Sequence, residues 1–328
     1  MLILCYHRVA RARSDPWGLC VTPDHFADQM AVLRADWNPM PLPELAAAAI
    51  RGDARPGGVA VTFDDGYVDN LLAAKPRLER WAIPATVFVA TGYVASGRQF
   101  WWDVLQELLL NRQVLPPSLS LEIEGTTHHW ELGASARFDS TDSAEHAYWR
   151  AWNPPPTPRH ALYASVWTLL RPLAEAPRLD LLGTLMAWAA SASAEPPLED
   201  VTATPPRAVN GRELARLAEG DLIALGAHTV THPLLPSLPA SAQHEEVDGS
   251  RRALEQLARG PVTSLAYPYG AFDAATLAAV RAAGLTLACA GGSGMVTSAS
   301  DPLQLPRVQV RDWDATEFQA RLSVWSRG

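Results

Sequence analysis

Short apolar or β-branched runs bounded by turn residues recur along the chain and alternate with stretches of helical periodicity, the pattern of βα units around a parallel sheet. Seven runs read as strands, at residues 2–6, 59–63, 85–89, 222–227, 262–267, 285–290 and 308–310. Helical spacing predicts helices at 23–34, 42–50, 67–81, 239–258 and 273–283. The last is punctuated at both ends: Asp273 can accept hydrogen bonds from the unpaired first-turn amides, and Gly284 follows as a stop.

Between residues 98 and 207 this rhythm breaks. The stretch holds seven of the 12 tryptophans and twelve of the 27 prolines, including Asn153-Pro-Pro-Pro-Thr-Pro158. The expectation is a single domain, residues 1–328, interrupted by a helical, Trp/Pro-rich insertion. Within it, helices are predicted at 100–111, 160–170 and 179–192, and a hairpin pairs 119–124 with 128–132. Trp101, Trp102, Trp149 and Trp152 have two readings, stacking on sugar faces or a lipid carrier, or core packing, and helical spacing favours core. The insertion joins the third strand to the strand preceding His228, which makes it a candidate cap for a cleft at that end.

Composition narrows the function. With 328 residues, 48% hydrophobic and 19% charged, the chain buries a large core, which excludes disorder and coiled coil. A formal charge of -8 and no basic stripe argue against a nucleic-acid partner. Cys5, Cys20 and Cys289 are scattered, so neither a disulfide framework nor a CxxC metal site is predicted, and a reducing compartment fits. The amino-terminal apolar run is too short for a signal peptide, and no stretch reaches the length of a transmembrane span. A cytoplasmic location is therefore expected, and the sequence assigns no oligomeric state.

Four motifs carry chemistry. In Val59-Ala-Val-Thr-Phe-Asp64-Asp65-Gly66 an apolar strand delivers two adjacent carboxylates to its carboxyl end, where parallel α/β folds gather catalytic groups. An Asp-Gly turn that caps the next helix is the plainer reading; the adjacent pair weakens it, since one carboxylate can bind a cation while its neighbour handles protons. His228-Thr-Val-Thr-His232-Pro233 follows another strand, and its spacing puts both imidazoles on one face of a helical turn, converging as a divalent metal requires. Two unrelated surface histidines are the alternative. Tyr267-Pro268-Tyr269-Gly270 runs a strand into a turn and by itself reads as a proline turn. Tyr6-His7 closes the first strand, so His7 is either structural or emerges on the face that bears the Asp and His pairs.

Taken together, Thr62-Phe-Asp64-Asp65-Gly66, His228-Thr-Val-Thr-His232-Pro233 and Tyr267-Pro268-Tyr269-Gly270 resemble the polysaccharide deacetylase family, also called the NodB-homology or carbohydrate esterase family 4 group. The resemblance covers about residues 1–97 and 208–315. It implies an α/β fold, a distorted (β/α)7 barrel, and removal of an N-acetyl or O-acetyl group from an amino-sugar-containing glycan, precursor or conjugate. It also implies one divalent cation, zinc first and cobalt, manganese or nickel as alternatives, with Asp65, His228 and His232 as ligands and Asp64 as general base. Tyr269 would supply a backbone oxyanion donor, with Tyr267 and Trp313 lining the substrate groove. Trp313 also reads as packing for a terminal helix.

Two departures from the family pattern stand out. The arginine that many members place two residues before the turn proline is Ala266 here, so the partner of the base either comes from elsewhere, with Arg307 just before the last predicted strand as the candidate substitute, or is absent. The late general-acid histidine is missing, since the last histidine is His244. In poly-N-acetylglucosamine deacetylases an amino-terminal Tyr-His pair supplies the acid, and Tyr6-His7 resembles it, which implies that His7 protonates the leaving amine. Two competing readings are a deacylase of a non-sugar amide on the same fold and a catalytically silent carbohydrate-binding protein.

Overall fold

The structure, a computed structural model, describes residues 1–53, 56–138, 148–192, 206–258 and 260–326. The chain divides into two compact units, one of Met1–Arg11, Leu19–Arg98 and Thr204–Gly328, the other of Ala12–Gly18 and Gln99–Ala203.

The first unit is built on β1 (Leu2–Tyr6), β2 (Arg8–Val9), β3 (Cys20–Val21), β4 (Asn38–Pro39), β5 (Gly58–Phe63) and β6 (Ala85–Val89). After the second unit, whose hairpin is β7 (Ser118–Ile123) and β8 (Thr126–Glu131), come β9 (Ile223–Ala227), β10 (Ser264–Ala266), β11 (Leu287–Cys289) and β12 (Val308–Gln309). Eight strands form one parallel sheet in the order β11-β10-β9-β6-β5-β1-β12, with β4 added on β5. Its seven-strand path matches the seven strands read from the sequence. The sheet curls: just before β12, Leu305 pairs in parallel with Cys289 of β11. This is the barrel architecture implied above.

β1, β5 and β6 are buried along their whole length, as a parallel sheet covered on both faces requires. Period-two alternation divides their side chains. Leu2, Leu4, Tyr6, Val59, Val61 and Phe63 belong to the large core cluster, whereas Ile3, Ala60, Phe88, Ala266 and Cys289 form a second one with Leu42, Leu45 and Ala46. Cys5 and His7 continue the Ile3 series, and Thr62 and Asp64 continue the Ala60 series.

The helices start where the sequence marks them. Asp273 accepts from the Thr276 amide at 2.8 Å and caps Ala274–Ala282, while Gly284 follows at φ 72°. The helix expected over 67–81 is regular only at Lys75–Trp81 and opens with a wide turn, Asn70–Ala74. Pro76 explains this, since it cannot donate to the preceding turn and its ring would meet the Leu72 carbonyl.

In the second unit β7 and β8 pair antiparallel, and helices span Trp101–Gln106, Pro158–Leu170 and Glu175–Ala190. Trp101, Trp102 and Trp149 are buried, so the core reading holds for them, while Trp152 is 51% exposed. No helix among the described residues is long and apolar enough to cross a membrane.

Candidate active site

The site lies at the carboxyl ends of the central strands of the first unit. Asp64 and Asp65 follow β5, and the Asp64 amide donates to the Tyr6 carbonyl, extending the β1–β5 ladder by one bond. Asp65 then turns into the left-handed region at φ 72°, so the two carboxylates part. His228 follows β9, tied by its amide to the Val89 carbonyl. Asp64, Asp65, His228 and His232 are each at most 5% exposed.

Asp65 Oδ1 stands 3.4 Å from His228 Nε2 and 3.4 Å from His232 Nε2. Donors at the corners of a tetrahedron with metal bonds of about 2.0–2.2 Å sit about 3.3–3.6 Å apart, so these contacts match a shared ion. Asp65 Oδ1 is buried and has no hydrogen-bond partner, which a cation would supply. His228 Nδ1 lies 2.8 Å from the Ala266 carbonyl, an acceptor only, so Nδ1 carries the proton and the Nε2 lone pair faces the other two donors. Burial disfavours the His228 imidazolium, yet Asp64 and Asp65 outweigh it and raise the pKa, marking the spot as a sink for positive charge. Asp65, His228 and His232 thus fit a divalent ion.

The histidine pair converges by a route other than the helical turn expected from its spacing. Residues 228–232 form an irregular loop in which Thr229 (φ 64°) and His232 (φ 55°) are left-handed. The His232 ring stands edge-on to Tyr269, with centroids 4.8 Å apart.

Arg307 donates from Nη1 to Asp64 Oδ1 and from Nη2 to Oδ2, both at 2.6 Å. It therefore occupies the place beside Asp64 that Ala266 cannot fill. The register explains how: Leu4 opposes Val308, so Arg307, just before the last strand, and Gln309 within it share the face of Cys5 and His7. Burial would raise the Asp64 carboxyl, but Arg307, aided by His228 and His7, holds it well below the usual carboxylate range. Cys5 Sγ also donates to Asp64 Oδ2, at 3.6 Å. His7 Nδ1 lies 3.3 Å from Gln309 Nε2, and its carbonyl accepts from Asn70 Nδ2 at 2.9 Å. Cys5, His7 and Asp64 bring donor atoms within 4.8 Å of one another, but Arg307 already engages both Asp64 oxygens, so this group is an ion pair with its neighbours rather than a second cation site.

Two residues expected in the groove make packing contacts. Tyr267 is fully buried, and its hydroxyl donates to the Leu303 carbonyl at 2.9 Å, so it serves the core. Trp313 packs against Trp325 of the terminal helix Ala315–Trp325 under the Arg321 guanidinium, the packing alternative for that residue. Tyr269, at φ 58° in the turn after β10, stays beside His232. Cys5 and Gln309 belong to no motif, and the sequence signal for them is their period-two spacing from His7 and Arg307.

Comparison with known proteins bears on the fold and on part of the sequence. The family profile described as polysaccharide deacetylase matches residues 201–288, which include both histidines and the Tyr267-Pro268-Tyr269 turn. Among solved structures, the Streptococcus pyogenes deacetylase PplD in complex with acetate aligns at a TM-score of 0.58 and 16% identity, covering 98% of this chain and 96% of that one. IcaB from Ammonifex degensii aligns at 0.58 and 18%, covering 100% and 97%. The BpsB deacetylase domain from Bordetella bronchiseptica aligns at 0.53 and 14%, covering 96% of each. At these identities the likeness is one of fold, and the fold is the NodB-type (β/α) barrel that the motifs implied. No curated protein matches the sequence.

Proposed function

We propose that the chain is a metal-dependent deacetylase that hydrolyses the N-acetyl or O-acetyl group of an amino sugar, in a glycan, a glycan precursor or a sugar conjugate, with zinc as the ion. The observation that carries this reading is the juxtaposition of a buried Asp65/His228/His232 donor set with a separate carboxylate, Asp64, that Arg307 keeps ionised. A binding module has no need of that second carboxylate. The polysaccharide deacetylase match over 201–288 supports acetyl removal from sugars as the chemistry.

A bound divalent cation supplies Lewis acidity, acidifying water and polarising the acetyl carbonyl. Asp64, kept ionised by Arg307, stands ready to take a proton from water so acidified. The remaining steps belong to the chain. The water oxygen bonds to the acetyl carbon while Asp64 takes one of its protons. The Tyr269 backbone N–H, in the turn against His232, is the proposed donor to the developing oxyanion. The C–N bond, or C–O for an O-acetyl group, then breaks, the amine or hydroxyl leaves with a proton from His7, and acetate is released. Asn70 at the carbonyl fixes the His7 backbone for that delivery, and Gln309, with its amide turned to present Oε1, would accept from Nδ1–H of the imidazolium.

The test is elemental analysis of the purified chain beside His228→Ala, followed by acetate release from N-acetylglucosamine oligomers. Near-stoichiometric zinc that is lost in the variant, with acetate released only by the loaded wild type, is the expected result. Absence of any bound ion after reconstitution would remove the hydrolase reading.

A further inference from the structure

The residues between the two histidines, Thr229-Val230-Thr231, have no regular secondary structure, and the segment from 229 to 232 begins and ends with a left-handed residue. A β-branched threonine at φ 64° is strained, so its surroundings must hold it there. They do so from two sides. Thr91 donates its amide to the Thr229 carbonyl at 3.2 Å, and Gly92 to the Val230 carbonyl at 2.8 Å. From the helix Ala240–Ala258, Glu246 accepts at Oε2 from the Val230 and Thr231 amides, both 2.8 Å, and at Oε1 from Thr231 Oγ1 at 2.7 Å.

Packing closes the clamp. A Cβ on Gly92 would lie 2.7 Å from the Val230 carbonyl oxygen, and one on Gly249, a turn beyond Glu246, 3.2 Å from Val230 Cγ2. Inside the loop, the His232 amide donates to Thr229 Oγ1 at 3.1 Å. The carboxylate of Glu246 thus gathers three donors of a loop whose two ends are His228 and His232.

We propose that Glu246 is a positioning residue for the metal centre. By fixing the loop it sets the separation of the two Nε2 atoms, and with it the affinity for the ion. This inference rests on the metal reading of the preceding section. It assigns Glu246 no contact with substrate or ion.

The experiment measures zinc dissociation constants by competition with a chromophoric chelator. It compares wild type, Glu246→Ala, Glu246→Gln, Thr231→Val and His228→Ala, with the melting temperature of each metal-stripped protein and the absorption bands of its cobalt form. Loss of a group that orients a metal ligand weakens binding by about 10–100-fold, the fall expected for Glu246→Ala together with altered cobalt bands. Glu246→Gln keeps an acceptor for both amides and is expected to restore binding to within about threefold of wild type, on the same hydrogen-bond argument. Thr231→Val, which removes one of the three bonds, is expected to lose a few-fold and serves if the alanine variant does not fold. Wild-type affinity in Glu246→Ala or Thr231→Val, a fall in melting temperature alone, or a glutamine variant as weak as alanine would each overturn the inference. A wild type that binds no zinc would instead overturn the metal reading itself, whereas wild-type binding abolished only in His228→Ala would leave that reading intact.

Discussion

Replacing Arg307 with methionine strands the Asp64 carboxylate in the interior. The pair makes two bonds of 2.6 Å, and its side chains are 5% and 6% exposed, so solvent screens it little. An exposed ion pair is worth about 0–1 kcal/mol, whereas removing one member of a buried pair costs about 3–5 kcal/mol, because the other charge stays desolvated. Cys5 still donates to Asp64 Oδ2, and His228 and His7 remain as favourable neighbours, which places the expected loss near the lower end, about 3 kcal/mol at neutral pH.

The pH dependence gives the sharper check. In the wild type the Asp64 pKa lies below its ordinary value of 3.8, so its contribution to stability is present above that value and lost as pH falls through the depressed pKa. In the variant burial acts unopposed by Arg307 and pushes the carboxyl up, so Asp64 takes a proton in mild acid and the penalty of the stranded charge fades. The deficit between wild type and variant should therefore be largest near neutrality and shrink on acidification. Urea unfolding of the metal-stripped proteins at about pH 7.5 and about pH 5 measures it, with Asp64→Asn and the double variant completing a thermodynamic cycle. A deficit under about 1 kcal/mol, one that grows in acid, or a cycle without coupling would refute the argument, since each is the behaviour of an exposed pair.

Two further outcomes are expected. His7→Ala should retain its metal but lose turnover by about 10²–10⁴-fold, the usual worth of a positioned proton donor, with KM little changed; near-normal turnover of the metal-loaded variant would remove His7 from proton delivery. Glu213 forms a fork with Arg207, at 2.7 and 2.8 Å, and that hydrogen bonding, against the opposing pull of burial, lowers its pKa below 4.5. Glu213→Gln should therefore melt earlier than wild type above about pH 5 and match it once the wild-type carboxyl is protonated, and thermal melts that still differ at about pH 2 would contradict this assignment.

The site residues borne on strands were legible because strand periodicity sorts them by face. His7 shares the face of Ile3 and Cys5, and Asp64 that of Ala60 and Thr62, so the end of a buried run announces which way its polar residue points. Periodicity does not say which strand lies alongside. Arg307 is 243 residues from Asp64, and the two meet only because Leu4 opposes Val308 in the closing register of the sheet. Tyr267 and Tyr269 show the opposite limit: two tyrosines flanking one proline read alike, yet the positive φ of Tyr269 turns it to His232 while Tyr267 stays in the core.

Spacing alone was an incomplete guide in the histidine motif. Two histidines four residues apart converge on a helix, and here they converge as well, but through a loop held from outside. A helix would have satisfied its own amides, whereas this loop must borrow an acceptor, and that acceptor is the Glu246 carboxylate in the run His244-Glu245-Glu246-Val247-Asp248 of an amphipathic helix. In sequence such a carboxylate is indistinguishable from a solvated charge, because what distinguishes it is the set of amides that face it. The ligands of a metal centre can thus be read locally while the group that fixes their separation cannot. Whether Glu246 does so is decided by metal affinity rather than by stability, since a solvated charge and a residue that only stabilises the fold would both leave the affinity unmoved.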